Sequence, residues 1–363
     1  MRRLLFFCAL ALCLTSARGF AGPPADFGPE PVPSLVSAVR LEKPLFFCGE
    51  PVPLENPEVR ERLEKEMLLI LWNRPQVILW LKRSTRYFPF MEKVLAENSM
   101  PADLKYIAVV ESALLPHAGS SKGAMGYWQF MKRTGLRYGL KIDKTIDERR
   151  NHYASTRAAA AYLRDLHGLF NSWTLAAAAY NLGEDRLQEE KTRQQVENYY
   201  DFHLPAETSR YILKIIAVKL IFSNPARYGF HLLDEDHYLP REFDRVRVTV
   251  QGNTPLNLVA GAAATTYKRI RDLNPEIRRD ALSRGTYVLA VPEGAGRNFH
   301  TRFADLSEKW RRDNRMHVYV VRKGDSLSAI AEQFRVALPA LMAWNDLTPG
   351  NYIHPGEKIV IYQ

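Results

Sequence analysis

From Pro57 to about Pro225 the chain places apolar residues at helical spacing, and only after Phe243 does the pattern shorten to strand-like runs. VRERLEKEMLLILWNRP is amphipathic at its start and apolar at its end, with Pro75 as its interruption. VILWLKRSTRYFPFMEKVLAENS continues the helical character. Asn73, Arg74, Lys82 and Arg83 break its apolar runs, so residues 58–100 read as a helical extension that pads a neighbouring unit. Next comes PADLKYIAVVES, with Pro101 suited to a first turn. STRAAAAYLRDLHGLF can be capped by Ser155 or Thr156, and TLAAAAYNLGE can close at Gly183. TSRYILKIIAVKLIF ends near Asn224-Pro225. Residues 101–230 are therefore expected to be nearly all helical, with the face of Leu104, Ile107, Ala108 and Glu111 packed and Asp103, Lys105 and Tyr106 lying elsewhere.

Beyond Phe243 the order is strand (VRVTVQ), helical stretch (LNLVAGAAATTYKRIRDLN) and strand (TYVLAVP). HVYVVRKGDSLSAIAEQFRVALPALMAWNDL and EKIVIY repeat it. The repeat gives two small units, residues 244–293 and 317–362, joined by a polar, charged linker at 294–316. The expected class is α+β, a mainly α unit followed by two βααβ modules.

Upstream of Pro57 the pattern disappears. Residues 22–57 are rich in proline and are expected to be extended, ordered where Leu45-Phe46-Phe47 docks. The start, MRRLLFFCALALCLTSARGFAG, has two arginines, an apolar core from Leu4 to Leu14, then small residues, which is the layout of a secretory signal over residues 1–21. Cleavage is expected after Ala21, with an uncleaved anchor as the alternative; Leu12 argues against a lipid anchor on Cys13. Cleavage leaves Cys48 alone, so the cores must hold without an internal disulfide. It also lowers the formal net charge from +10 to +7 by removing Arg2, Arg3 and Arg18. A basic exported chain suits an anionic wall polymer or a peripheral contact with a membrane surface. Nucleic acid is not an expected partner, since the charge is spread along the chain.

Candidate chemistry centres on VVESALLPHAGSSKGAMGYWQF, residues 109–130. Glu111 projects toward apolar surroundings near the end of its helix. Partial burial raises a carboxylate's pKa, and a protonated Glu near neutral pH is a general acid suited to cleaving an acetal. A Glu that only ends a helix or pairs with a base is the alternative. Gly119, Gly123 and Gly126 allow close backbone approach, Ser120 and Ser121 offer hydroxyls, Tyr127 and Trp128 offer flat faces suited to sugar rings, and Gln129 offers an amide. A hydrolytic glycosidase ordinarily needs two carboxylates. No Asp or Glu lies between Ser112 and Ile142, and Asp143 and Asp147 read as turn and cap residues. Chemistry with one carboxylate fits better, with Glu111 first giving a proton and then taking one from a sugar hydroxyl. No metal-ligand spacing and no phosphate-binding glycine loop occurs, so no metal or cofactor is expected.

Glu111-Ser112, Ser120, Gly126-Tyr127-Trp128-Gln129, Ala179-Tyr180-Asn181 and Glu207-Thr208-Ser209-Arg210-Tyr211 follow one another in an order that resembles goose-lysozyme-like lytic transglycosylases. The nearest subtype is membrane-bound lytic murein transglycosylase D, and the resemblance covers roughly residues 40–363. It implies a lysozyme-like catalytic domain, peptidoglycan as substrate and a 1,6-anhydro-N-acetylmuramic acid product. It assigns Glu111 as acid/base, Ser120 near the muramic acid, Gln129 lining the cleft, Tyr180 and Asn181 bordering the Glu, and Tyr211 orienting it. Tyr127 departs modestly from the family's usual Leu or Met.

The C-terminal repeat resembles LysM, a glycan-binding module. The second copy keeps Gly324, Asp325, Ser326 and Leu327 in one groove loop, and Pro349 to Ile353, including Asn351 and Ile353, in the other. The first copy has Asn253-Thr254-Pro255 in place of Gly-Asp-Ser and reads as a degenerate spacer whose glycan binding is left open. A hydrolytic muramidase and a non-catalytic wall-binding protein are the competing functional readings.

Overall fold

A computed structural model describes residues 33–314, 316–348 and 350–362. The segment read as a signal peptide, residues 22–32 of the proline-rich segment, and Pro349 lie outside the described residues.

Three hydrophobic cores organise the chain. The first runs from Ala38 to Phe230 and is built from helices. The break expected at Pro75 is real: one helix spans Pro57–Trp72, the next Arg74–Glu97, and Asn73 joins them. Proline is tolerated because it sits in the first turn of the second helix, where its missing N–H has no helical acceptor. The helix Trp173–Leu182 buries Ala176, Ala177, Ala178 and Ala179 completely, and these small side chains let neighbouring helices approach. It closes at Gly183 as expected, with φ 99°.

The helix placed at Ser155 or Thr156 instead begins at His152, capped by Asn151, whose side chain accepts from Tyr153 N and Ala154 N. Two acceptable cap types downstream are overridden because both are buried in the first core's wall. In the proline-rich segment Phe47 is fully buried within a short hairpin, Phe46–Phe47 with Glu50–Pro51, while Phe46 stays exposed. Glu50 from this hairpin accepts hydrogen bonds from Trp173 N (2.5 Å), Thr174 N (3.1 Å) and Ser172 Oγ (2.8 Å). A carboxylate thus sits at the positive end of the four-alanine helix.

In the second core Phe243–Val250 pairs antiparallel with Gly285–Pro292 around the helices Leu256–Ala262 and Tyr267–Leu273. The third core repeats the plan, pairing Met316–Val320 with Lys358–Tyr362 around Leu327–Gln333 and Leu338–Trp344. The stretch read as a polar linker contains a helix, Phe299–Asp313, that lays Phe299, Phe303 and Leu306 on the second core. No helix among the described residues is long and apolar enough to cross a membrane.

Candidate active site

Glu111 sits in the last turn of the helix Lys105–Ser112, entered through the 3-10 turn Ala102–Leu104. This helix is packed on more than one face. Leu104, Ile107 and Ala108 are buried as expected, and so are Tyr106, Val109 and Ser112. Tyr106 was expected off the packed face; a short helix in the middle of a helical domain has neighbours on every side. After Ser112 two consecutive non-glycine residues, Ala113 (φ 53°) and Leu114 (φ 60°), take the left-handed conformation, a costly arrangement held by its surroundings. Arg83 Nη1 donates to Ala113 O at 3.0 Å, and Ser112 Oγ donates within 2.7 Å of Tyr127 O and 3.0 Å of Ala108 O. The helix of Glu111 is thereby tied to the loop that follows it.

The helix Ala206–Ser223 supplies the partners. Glu207, Tyr211 and Lys214 recur at i, i+4 and i+7 and share a face. Tyr211 OH donates to Glu111 Oε1 at 2.5 Å. Burial pushes the Glu111 carboxyl up to about 7, against the opposing pull of the Tyr211 hydrogen bond and the Lys214 charge; the like charge of Glu207 adds to the rise. Glu111 is therefore divided between acid and base forms near neutral pH. Burial and the adjacent carboxylate hold the Tyr211 and Tyr180 phenols well above their ordinary range, so both remain proton donors. The neighbouring Arg210 forks onto buried Glu66, with Nε to Oε1 at 2.5 Å and Nη2 to Oε2 at 3.1 Å, which pins this helix to Pro57–Trp72.

The third element is the helix Trp173–Leu182. Tyr180 OH donates to Trp128 O at 2.6 Å, and Asn181 Oδ1 accepts from Thr208 Oγ1 at 2.8 Å. These bonds tie the helix of Tyr180 and Asn181 to the loop and to the helix of Tyr211, and Tyr180 also lies within electrostatic reach of Glu111. The loop beneath is folded on itself: Gln129 Nε2 donates to Ala118 O (2.9 Å) and Gly126 O (2.8 Å), and Ser120 Oγ accepts from Ala124 N (3.1 Å). Ser120 is exposed on the loop, and no hydrogen bond joins it to Glu111 among the described residues.

Tyr127 and Trp128 do not offer faces to a sugar. They are 3% and 1% exposed. Tyr127 packs against Tyr87 and His152, with ring centroids 5.0 and 5.4 Å away, and Trp128 Nε1 donates to Thr156 Oγ1 at 3.1 Å. The backbone explains the correction. Gly126 (φ 82°) and Gln129 (φ 47°) both turn left-handed, and the pair between them is rotated into the core. Gly126 has no alternative, since a Cβ there would lie 1.8 Å from Arg149 O.

Sequence reading placed Asp143 and Asp147 correctly in turn and cap roles: Asp143 Oδ1 accepts from Thr145 N and Ile146 N, and Asp147 caps Glu148–Arg150. It missed Arg149, Thr208, Glu207 and Lys214. Glu207 and Thr208 stood in the quoted Glu-Thr-Ser-Arg-Tyr run; the helical spacing of Glu207, Tyr211 and Lys214 was the available signal.

In the last module Gly324 (φ 94°) makes a turn. Asp325 Oδ2 accepts from Arg322 N (2.7 Å) and Tyr319 OH (2.8 Å), and Ser326 caps the helix begun by Leu327 through Ala329 N (3.1 Å). The hydrogen bonds from Arg322 N and Tyr319 OH hold the Asp325 carboxyl below its ordinary range. Asn351 Oδ1 accepts from Thr348 N and Oγ1, and Ile353 rests on the core. Among the large apolar side chains of this module the most exposed is Tyr352, at 87%; it lies in the loop that sequence reading assigned to the groove but was not singled out there.

A family profile described as the transglycosylase SLT domain matches residues 88–202, and a LysM domain profile matches residues 319–361. Membrane-bound lytic murein transglycosylase D of Escherichia coli (strain K12) is 30% identical over 331 residues, 87% of this chain and 72% of that protein. The chain belongs to the lytic murein transglycosylase D family. Within it, the matched SLT segment holds Glu111, Gln129, Tyr180 and Asn181, whereas Tyr211 lies just beyond its end. The peptidoglycan transglycosylase gp16 of Escherichia phage T7 is 38% identical over 104 residues, 28% of this chain and 8% of that protein. Among solved structures, the 70 kDa soluble lytic transglycosylase SLT70 of Escherichia coli shares 20% identity with a TM-score of 0.34, covering 46% of this chain and 28% of that one.

Proposed function

We propose that the protein is a peptidoglycan lytic transglycosylase that cleaves the β-1,4 bond between N-acetylmuramic acid and N-acetylglucosamine without consuming water. The observation that carries this reading is Glu111, with its carboxyl raised to about 7 and Oε1 occupied by the Tyr211 phenol. With Oε1 accepting, the transferable proton resides on Oε2. Glu111 gives it to the glycosidic oxygen as the C1–O bond of the muramic acid breaks. The resulting carboxylate takes the proton of the same sugar's C6 hydroxyl as that oxygen bonds to C1, closing a 1,6-anhydro ring and restoring the acid. Tyr211 OH stabilises the carboxylate between the two steps.

In this reading residues 101–230 form the catalytic unit, braced by 58–100. Residues 317–362 hold the glycan as a LysM module, 244–293 are its degenerate copy, and 1–21 direct export to the cell envelope, with a peripheral membrane contact. Glu207 supports a second reading, since it is a carboxylate that acts electrostatically on Glu111 and could serve a hydrolytic muramidase. Mass spectrometry of digested sacculi separates the two. Anhydro ends are expected; products carrying only reducing muramic acid, heavier by one water, sink the lyase reading.

A further inference from the structure

The two C-terminal modules share one internal clamp. In the first, Asn274 Nδ2 donates to Ile270 O (2.8 Å) and Ala290 O (2.7 Å), and Oδ1 accepts from Ala290 N (2.7 Å). In the second, Asn345 Nδ2 donates to Leu341 O (2.8 Å) and Val360 O (2.7 Å), and Oδ1 accepts from Val360 N (2.7 Å). The matching bonds put the two modules in register, so the loops that follow each asparagine are equivalent.

Their surroundings are not. In the second copy the loop runs through exposed Asn351 and Tyr352. In the first it is docked on the catalytic unit. Ile146 and Ile277 form an antiparallel bridge; Asp147 N donates to Glu276 O and Arg278 N to Thr145 O, each at 2.8 Å. Arg278 Nη1 reaches Asp143 O at 2.9 Å, and the Thr145 and Ser283 hydroxyls meet at 2.8 Å. Ile146, a residue of the catalytic unit, is buried in the module's own core. The first copy's two loops are also joined to each other, Thr254–Pro255 pairing with Ala281–Leu282.

The docked segment leads into the active-site loop. Asp147 and Arg149 are buried, 2% and 7% exposed. Arg149 Nε and Nη2 each donate to Asp147 at 2.8 Å, and Nη1 donates to Gly123 O (2.9 Å) and Phe130 O (3.0 Å). One guanidinium therefore holds both limbs of the loop Gly119–Phe130, which carries Gln129. A buried ion pair is costly unless its remaining hydrogen bonds are satisfied, and here the loop carbonyls satisfy them. The planar fork is required, because an ammonium with three N–H donors on one nitrogen cannot serve four acceptor oxygens in these directions.

We propose that the first module has been converted from a glycan-binding unit into a brace for the substrate loop, and that Arg149 is the positioning residue through which it acts. This rests on the loop Gly119–Phe130 lining the substrate cleft, as the proposed function requires. The test uses the full chain with Ile146→Asp, which opens the dock, and Arg149→Lys, which keeps the charge but not the fork. Three quantities are read: hydrogen exchange of the 119–130 amides, binding to sacculi, and lysis rate against sacculus concentration.

Both variants are expected to speed exchange across 119–130 by about tenfold or more and to raise the half-saturating sacculus concentration more than they lower the limiting rate. Sacculus binding is expected to stay at the wild-type level, carried by the second module. Unchanged exchange in Arg149→Lys overturns the proposal. So does a loss confined to the limiting rate, and so does lost sacculus binding in Ile146→Asp, which would return the first module to glycan binding. If Ile146→Asp does not fold, Arg149→Lys carries the test alone. Absence of anhydro ends from the wild type would refute the proposed activity, while the exchange measurement would still judge the brace.

Discussion

Glu111 and Glu276 are both glutamates pushed up to about 7, and in both burial is the largest cause. Their surroundings differ. Glu111 is partly exposed, receives a phenol on Oε1, and feels the charges of Lys214 and Glu207 from the facing helix Ala206–Ser223. Glu276 is 7% exposed at the junction between the catalytic unit and the first module. Its Oε1 accepts from Asn151 Nδ2 at 2.9 Å, and its Oε2 is buried without a partner. A raised pKa alone therefore does not mark a general acid. Access to a substrate, and a donor that steadies the charged form after the proton leaves, separate the two.

The largest test of this contrast is Glu111→Gln. Removing the acid is expected to lower the rate of anhydro-end formation by about 10²–10⁴-fold, with sacculus binding retained; lysis at the wild-type rate would strip Glu111 of its role. Tyr211→Phe comes next. It removes a hydrogen bond to the charged form, so the rate should fall by roughly tenfold. The alkaline limb of the pH profile should also move upward from about 7, because the Tyr211 bond pulls the Glu111 carboxyl down. A profile that moves downward, or not at all, would separate Tyr211 from the titration.

Much of this site was legible before any fold was known. Glu111 and Tyr211 lie far apart in sequence, yet the ordered motifs brought them together, and apolar spacing placed the carboxylate on a packed face. Side-chain direction in the loop was not legible. Residue type marks Tyr127 and Trp128 as aromatic, but only the left-handed turns at Gly126 and Gln129 decide that they point inward. Glu50 and Arg149 were invisible for another reason: one caps a helix more than a hundred residues away, and the other is defined by the carbonyls it joins. In Phe299–Asp313 the residues Phe299, Phe303, Leu306 and Trp310 recur at helical spacing, but the many charges between them led the stretch to be read as a polar linker.

Glu207→Gln is a smaller perturbation. If Glu207 acts on Glu111 only through its charge, neutralising it removes a contribution that raises the Glu111 pKa. The alkaline limb should shift down in pH, and activity at pH 6 should change by less than about threefold. A collapse of the rate comparable with Glu111→Gln would instead make Glu207 the second carboxylate of a hydrolase.

Glu276→Gln should have the least effect on catalysis and a visible effect on stability. For a carboxyl raised from its ordinary value to about 7, the folded protein binds more protons than the unfolded chain between those two pH values. Stability therefore falls as pH rises through that window, and the full cost is present above about 7. An amide in place of the Glu276 carboxyl can keep the acceptor for Asn151 while carrying no charge. Thermal unfolding at pH 8 should gain up to about 3 kcal/mol over the wild type, and the gain should vanish below the ordinary carboxylate range. The pH–rate profile of lysis should keep its limb at about 7. A limb displaced in Glu276→Gln would mean that the junction carboxylate, and not only Glu111, sets the titration of the active enzyme.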